Sequence, residues 1–269
     1  MKKKRTWYLK FLIGSAGFVF LFLVWWLASY LMHLSGNRLL PYPSETLLTM
    51  MGYLFGSGAG NTFFATGWTI LRILIGFVVS FILGGIFGTL AGVYKHFGEF
   101  MSPFVVFSKS VPTAAIVVIL VGVFYQFRGL PPYIPCFLVF LVAFPLIYEA
   151  FRKGLASEAQ EVKDALRLDC GDKSWRAIFL VELPDSWNFI ALALAQSLGL
   201  SVKVSVMSEI LVNSSSAQGG LGALIQMAWQ IDGDMKSVIA YSLIAVILST
   251  LMDLPLAFLK HQVEKKIGE

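Results

Sequence analysis

The sequence predicts an all-α membrane protein: six transmembrane helices, both termini cytosolic, and a charged helical hairpin on the cytosolic side. Three observations carry this. Of 269 residues, 57% are hydrophobic and 14% charged, and the mean hydropathy is +0.74. That is more apolar surface than a soluble domain hides under a wet exterior. Six segments reach the roughly 20 apolar residues that cross a bilayer as a helix, where lipid offers no partner to free backbone groups. Finally, Lys and Arg are distributed asymmetrically along the chain, as membrane topology requires.

The six segments are 11–34, 64–93, 102–127, 132–151, 187–211 and 237–258. The first follows the basic run Lys2-Lys3-Lys4-Arg5. Its apolar stretch is too long for a signal peptide and lacks a small-x-small cleavage site, so it reads as an uncleaved anchor. With the N-terminus inside, fifteen of the 21 Lys and Arg fall in cytosolic segments and three in outer ones (Arg38, Arg128, Lys236). Arg72, Lys109 and Lys203 lie within spans. The net charge of +5 is therefore a topology signal and not a nucleic-acid footprint.

After the first span, Pro41 and Pro43 break the chain, Ser44 suits an N-cap, and Leu47, Leu48, Met51 and Leu54 recur at helical spacing. This predicts a short amphipathic helix at the outer interface. The second span carries Gly76, Ser80, Gly84, Gly88 and Gly92 on one helical face, a packing stripe that lets another backbone approach. In the third, Pro112 removes a donor and restricts Val111, predicting a kink or break. The fourth holds Pro135 and Pro145 and shows no chemistry of its own. The fifth places Ser197, Ser201, Ser205 and Ser208 on one face, either to pack or to wet a path. It also holds Lys203 and Glu209. Ionisable groups at membrane depth are costly and face a bundle interior or cavity. By depth, Arg72 pairs with Glu209 and Lys109 with Asp253. A Ser/Gly loop follows, then a second outer helix over Leu224, Met227, Ala228 and Ile231, ended by Asp232 and Asp234.

Residues 152–185 hold six basic and seven acidic side chains. So balanced a segment suits a protein-docking surface better than anionic lipid. Its apolar residues form two stripes: Leu155, Ala159, Val162, Leu166 and then Trp175, Ile178, Phe179, Leu183. Gly171 suits a helix C-terminus, Asp172 the next N-cap, and Pro184 a stop. Cys136 and Cys170 form no metal or disulfide pattern, and His33, His96 and His261 are scattered. No paired histidines, nucleophile elbow or phosphate loop occurs, so no catalytic, cofactor-binding or metal-binding residues are expected.

Helix, Gly, helix, Leu-Pro in a cytosolic loop resembles the "EAA" loop of binding-protein-dependent ABC importer permeases. Gly171 to Pro184 keeps that family's thirteen-residue spacing. Where it has Glu-Ala-Ala, this chain reads Ala165-Leu166-Arg167. "LLPYPSETL", "SVPTAAIVVIL", "SLGLSVKVSVMSEIL" and "GGLGALI" resemble, in order, landmarks of the nitrate/sulfonate/taurine/bicarbonate subfamily over 38–258.

The resemblance implies the ABC transporter type I permease fold in a bacterial cytoplasmic (inner) membrane. It implies an N-terminal helix and outer helix over 1–60, a transmembrane core over 61–259, a coupling loop at 152–186 and a tail at 260–269. Val162, Asp164, Ala165, Leu166, Gly171, Leu183 and Pro184 would then couple to an ATPase. Lys109, Ser197, Ser201, Lys203, Ser205, Ser208 and Glu209 would line the translocation path. Implied partners are ABC ATPase subunits that bind ATP and Mg, a second or sister permease, an extracytoplasmic solute-binding protein and membrane lipid. The alternative is a stand-alone ion-coupled secondary transporter using Lys203 or Glu209. It would carry internal inverted repeats, and none is evident.

Overall fold

The computed structural model describes residues 2–124, 133–156, 168, 174–212, 219–230 and 232–267, with side chains resolved between 13 and 254 except at Asn188. All described regular structure is helical. The chain divides into two compact units, Met1–Phe63 with Ile225–Ile244, and Phe64–Leu224 with Ala245–Glu269.

In the first unit, α1 spans Lys2–Leu34 and exposes a sleeve of Phe, Leu and Val. Its end is folded back by polar contacts. Buried Ser29 donates Oγ–H to the Leu40 carbonyl at 2.8 Å, and His33 stacks on Tyr42 at 4.5 Å. Gly36 adopts φ 78°, the left-handed geometry that closes a helix C-terminus. Helix α2 spans Pro43–Phe55 with Tyr42, not Ser44, at its N-cap. Pro43 takes the first helical position, where its fixed φ is pre-set and its missing N–H costs nothing. Leu48 is 74% exposed and Met51 53%, so the apolar face of α2 points outward, as an interfacial helix requires.

The first unit also contains the start of the last helix. Tyr53 of α2 stacks on Tyr241 at 4.4 Å and hydrogen-bonds Ser237 at 2.6 Å. Glu45 pairs with Lys236 at 2.9 Å. Asp234 does not end the outer helix but opens the next one, accepting the Lys236 N–H at 3.0 Å.

In the second unit, α3 (Ala59–Val93) lies against α6 (Ile134–Ala156) along the small-residue stripe. A Cβ on Gly76 would sit 2.5 Å from the Cys136 carbonyl, one on Gly88 2.6 Å from the Tyr148 carbonyl, and one on Gly92 2.9 Å from Leu155. Ser80 reaches across to the Phe140 carbonyl at 3.3 Å. The stripe is thus a helix-packing face, as its spacing predicts.

The third span is two helices, α4 (Lys95–Ser110) and α5 (Thr113–Phe124), bent by 93°. Val111 is extended (φ −79°, ψ 128°), as a residue before proline prefers, and Pro112 lacks the donor that would carry the ladder on. Among the described residues, five helices are long and apolar enough to cross a membrane, or up to six if the bent pair is one span. The break expected at Pro112 is present, and the bend there is sharp.

Helix α6 is the buried centre of this unit. Phe144 and Tyr148 pack with Ala91, Met101 and Val105, while Ile147 and Phe151 pack with Ile190 and Leu194. It runs to Ala156, beyond the expected end at 151, and buries Leu155. Helix α7 comprises Trp175–Ala177, a π-turn over Ile178–Glu182, and Leu183–Asp185. Only Ser186 separates it from α8 (Trp187–Val212). The helix stops within one residue of Pro184, as its sequence predicts, and the next span starts at once. The π-turn bonds Leu183 N–H to the Ile178 carbonyl, five residues back, and this slip accommodates the proline's missing donor. The chain continues through α9 (Leu221–Gln230) to α10 (Met235–Ile267).

Candidate functional site

Three polar constellations lie among the candidate spans of the second unit. The most enclosed joins α3, α8 and the start of α9. Arg72 (4% exposed) sets Nη1 2.8 Å from Oε1 of Glu209 (0% exposed). Thr69 donates Oγ1–H to the same carboxylate, 2.9 Å from Oε2, and its Oγ1 accepts the Leu221 N–H at 2.9 Å. The Gly222 N–H donates to Glu209 Oε2 at 3.0 Å.

The first turn of a helix leaves N–H groups unpaired and carries partial positive charge. Here Glu209 and Thr69 satisfy two of them from other helices. A Cβ on Gly220 or Gly222 would collide with the Glu209 side chain, which explains those two glycines of "GGLGALI". The Arg72–Glu209 pair expected from depth is present.

The second constellation lies at the junction of α4 and α6. Lys109 Nζ lies 2.5 Å from Glu149 Oε1, and Lys153 Nζ 3.1 Å from Glu149 Oε2. Lys109 thus pairs with Glu149 and not with Asp253. Depth along the membrane leaves the azimuth of each helix open, and the azimuth selects Glu149. Glu149 was missed because α6 reads as chemically silent. The signal was present as a Glu four residues before Lys153, the i,i+4 spacing of a helical ion pair.

The four serines of α8 are all fully buried inside the chain. Ser197, Ser201 and Ser208 bond carbonyls of their own helix, at 3.1, 2.6 and 2.8 Å. They occupy a packing face, the first of the two roles their spacing allows. Glu209 is sealed beside them. Lys203 lies on an exposed face of α8 and lines an open cleft with Gln196 and Asp253.

The third feature is α7. Ile178 is buried, Leu183 half-buried and Pro184 exposed. Trp175 and Phe179 stack at 6.1 Å and line an apolar groove of about 370 Å³ with Phe81, Ile86 and Phe151. Of the residues expected to couple to an ATPase, Val162, Asp164, Ala165, Leu166 and Gly171 lie outside the described residues. Among the described residues, no three His, Cys, Asp or Glu side chains are grouped to hold a metal ion.

The family of binding-protein-dependent transport system inner membrane components matches residues 83–268. A probable ABC transporter permease protein of Brucella melitensis is 26% identical over 224 residues, covering 83% of this chain and 86% of that protein. One from Brucella abortus is 26% identical over 224 residues, covering 83% and 84%. The fold is similar to a chain of the MetNI methionine ABC transporter in an inward-facing conformation. The TM-score is 0.58 at 18% identity, covering 75% of this chain and 94% of that one.

Proposed function

Because the chain belongs to the family of binding-protein-dependent transport system inner membrane components, we propose that it is the permease subunit of an ATP-driven importer. The observation that carries this reading is the family match over 83–268, on a fold shared with an ABC importer's membrane chain. In this reading the chain does not hydrolyse ATP. A separate ATPase binds ATP and Mg and docks under the segment around 155–184. A second copy or sister permease completes the path, and an extracytoplasmic binding protein delivers the solute.

Both termini lie in the cytosol, and the chain sits with the nitrate/sulfonate/taurine/bicarbonate permeases through the landmarks quoted above. The described end of the docking segment supports the coupling role. Through Ser186, α7 is nearly continuous with α8, and Ser186 abuts Gly154 of α6, so a push on α7 reaches two spans directly. Helix α7 lines an apolar groove together with α3 and α6.

The test is co-expression with the neighbouring ATPase and binding protein, purification, and uptake by proteoliposomes. ATP-dependent uptake that persists when ion gradients are collapsed by ionophores is expected. Gradient-driven uptake by the lone chain would instead make it a secondary transporter. Leu166→Asp should abolish ATPase co-purification while the spans still insert. Full transport by that variant would refute the docking assignment.

A further inference from the structure

An open cleft of about 310 Å³ lies within one chain between α6, α8 and α10. Its floor is Leu146 of α6, and α8 contributes Gln196, Gly199 and Lys203. These three fall at i, i+3 and i+7, one face of the helix. Asp253 of α10 supplies the opposite charge. Gln196 and Lys203 sit in the central turns of α8.

Two ionisable groups of opposite sign border this cleft, yet no ion pair joins them. Asp253 Oδ1 is shut off from solvent and has no hydrogen-bond partner among the described residues. Lys203 is exposed and takes part in no ion pair among them. The carboxylate is packed over Gly199, where a Cβ would come 3.0 Å from Oδ1. Keeping two such groups unpaired in a span is costly, and groups of this kind mark solute or ion routes. Arg72 with Glu209 and Lys109 with Glu149 show the contrast, since both pairs are closed.

We propose that this cleft is a waypoint for a small zwitterion, a solute carrying an anionic group and an ammonium group a few bonds apart. The anionic group sits on the Lys203 ammonium and the ammonium group on the Asp253 carboxylate. The Gln196 amide serves either end. The volume is at the low end for ligand sites and fits a small solute. A purely anionic solute would leave Asp253 repelling it, and a purely cationic one would meet Lys203. This inference rests on the permease reading and assigns it a substrate class.

The experiment uses the permease–ATPase complex in nanodiscs without ATP, with Cys136→Ala and Cys170→Ser to remove native thiols. Leu200→Cys, beside the cleft, is reacted with anionic and cationic methanethiosulfonates. Both should label it from water. β-Alanine at tens of millimolar should slow labelling severalfold, whereas propionate and propylammonium should not. Lys203→Gln should slow the anionic reagent on the order of tenfold, and Asp253→Asn the cationic one. Either substitution should remove protection by β-alanine. Monodisperse elution checks that each variant is folded. A thiol unreactive from water, equal protection by propionate, or protection surviving both substitutions would each overturn the proposal. Failure of the permease reading shows separately, as loss of ATPase co-purification from the unmutated chain.

Discussion

The Glu209 carboxylate takes hydrogen bonds from Arg72 and Thr69 of α3 and from the Gly222 N–H of α9, three donors on two other helices. Within a span such a group is tolerable only because every acceptor is used. Breaking one side of a buried pair strands the other, at a cost of about 3–5 kcal/mol. Arg72→Gln and Glu209→Gln are each expected to destabilise the protein on that scale, seen as a lower unfolding midpoint in detergent. The double variant Arg72→Met with Glu209→Met should recover part of the loss, since no charge is left unpaired. It should not recover all of it. The Gly222 N–H stays orphaned, and an unsatisfied buried donor costs about 1–3 kcal/mol. Full recovery would mean that Glu209 does not hold the start of α9.

Helix packing follows from where side chains are missing. A Cβ on Gly88 would strike both the Tyr148 carbonyl and Phe151, at 2.6 and 2.7 Å, while one on Gly67 of the same helix meets nothing within 4 Å. Gly88→Leu should force α3 and α6 apart, costing about 1–3 kcal/mol or more as overpacking does. Gly67→Leu should be neutral in the same thermal assay. Equal effects would refute the contact. This face was legible in the sequence because a four-residue repeat of small side chains fixes one side of a helix without any knowledge of its neighbour. The break at Pro112 was legible for a similar reason, being local backbone chemistry. The π-turn over Ile178–Glu182 was not legible, because no residue pattern announces it. The Lys109 partner was misread because it depends on rotation about the α4 axis, and hydropathy reports depth alone. Arg72 and Glu209 were legible because each stood isolated in an apolar run at matching depth.

At the scale of the whole molecule, the bent pair α4–α5 decides on which side every later segment lies. If the pair crosses the membrane, there are six spans, and Lys95 and the segment that holds Ser174 share a side. If it turns back, there are five, and the two lie on opposite sides. The basic residues discriminate between these topologies. Six spans with the N-terminus inside place fifteen Lys and Arg within and three without. Five spans place eight within and ten without, and the bias disappears. The positive-inside rule therefore predicts a crossing at α4–α5 despite the 93° bend. In the thiol-free background, Lys95→Cys and Ser174→Cys are expected to react with an impermeant maleimide only when added from the cytosolic face, and Ser57→Cys only from the outer face. Oppositely sided labelling at 95 and 174 would make α4–α5 a re-entrant pair. It would also put the proposed coupling segment outside the cell, beyond the reach of any ATPase, so this one experiment bears on topology and coupling together.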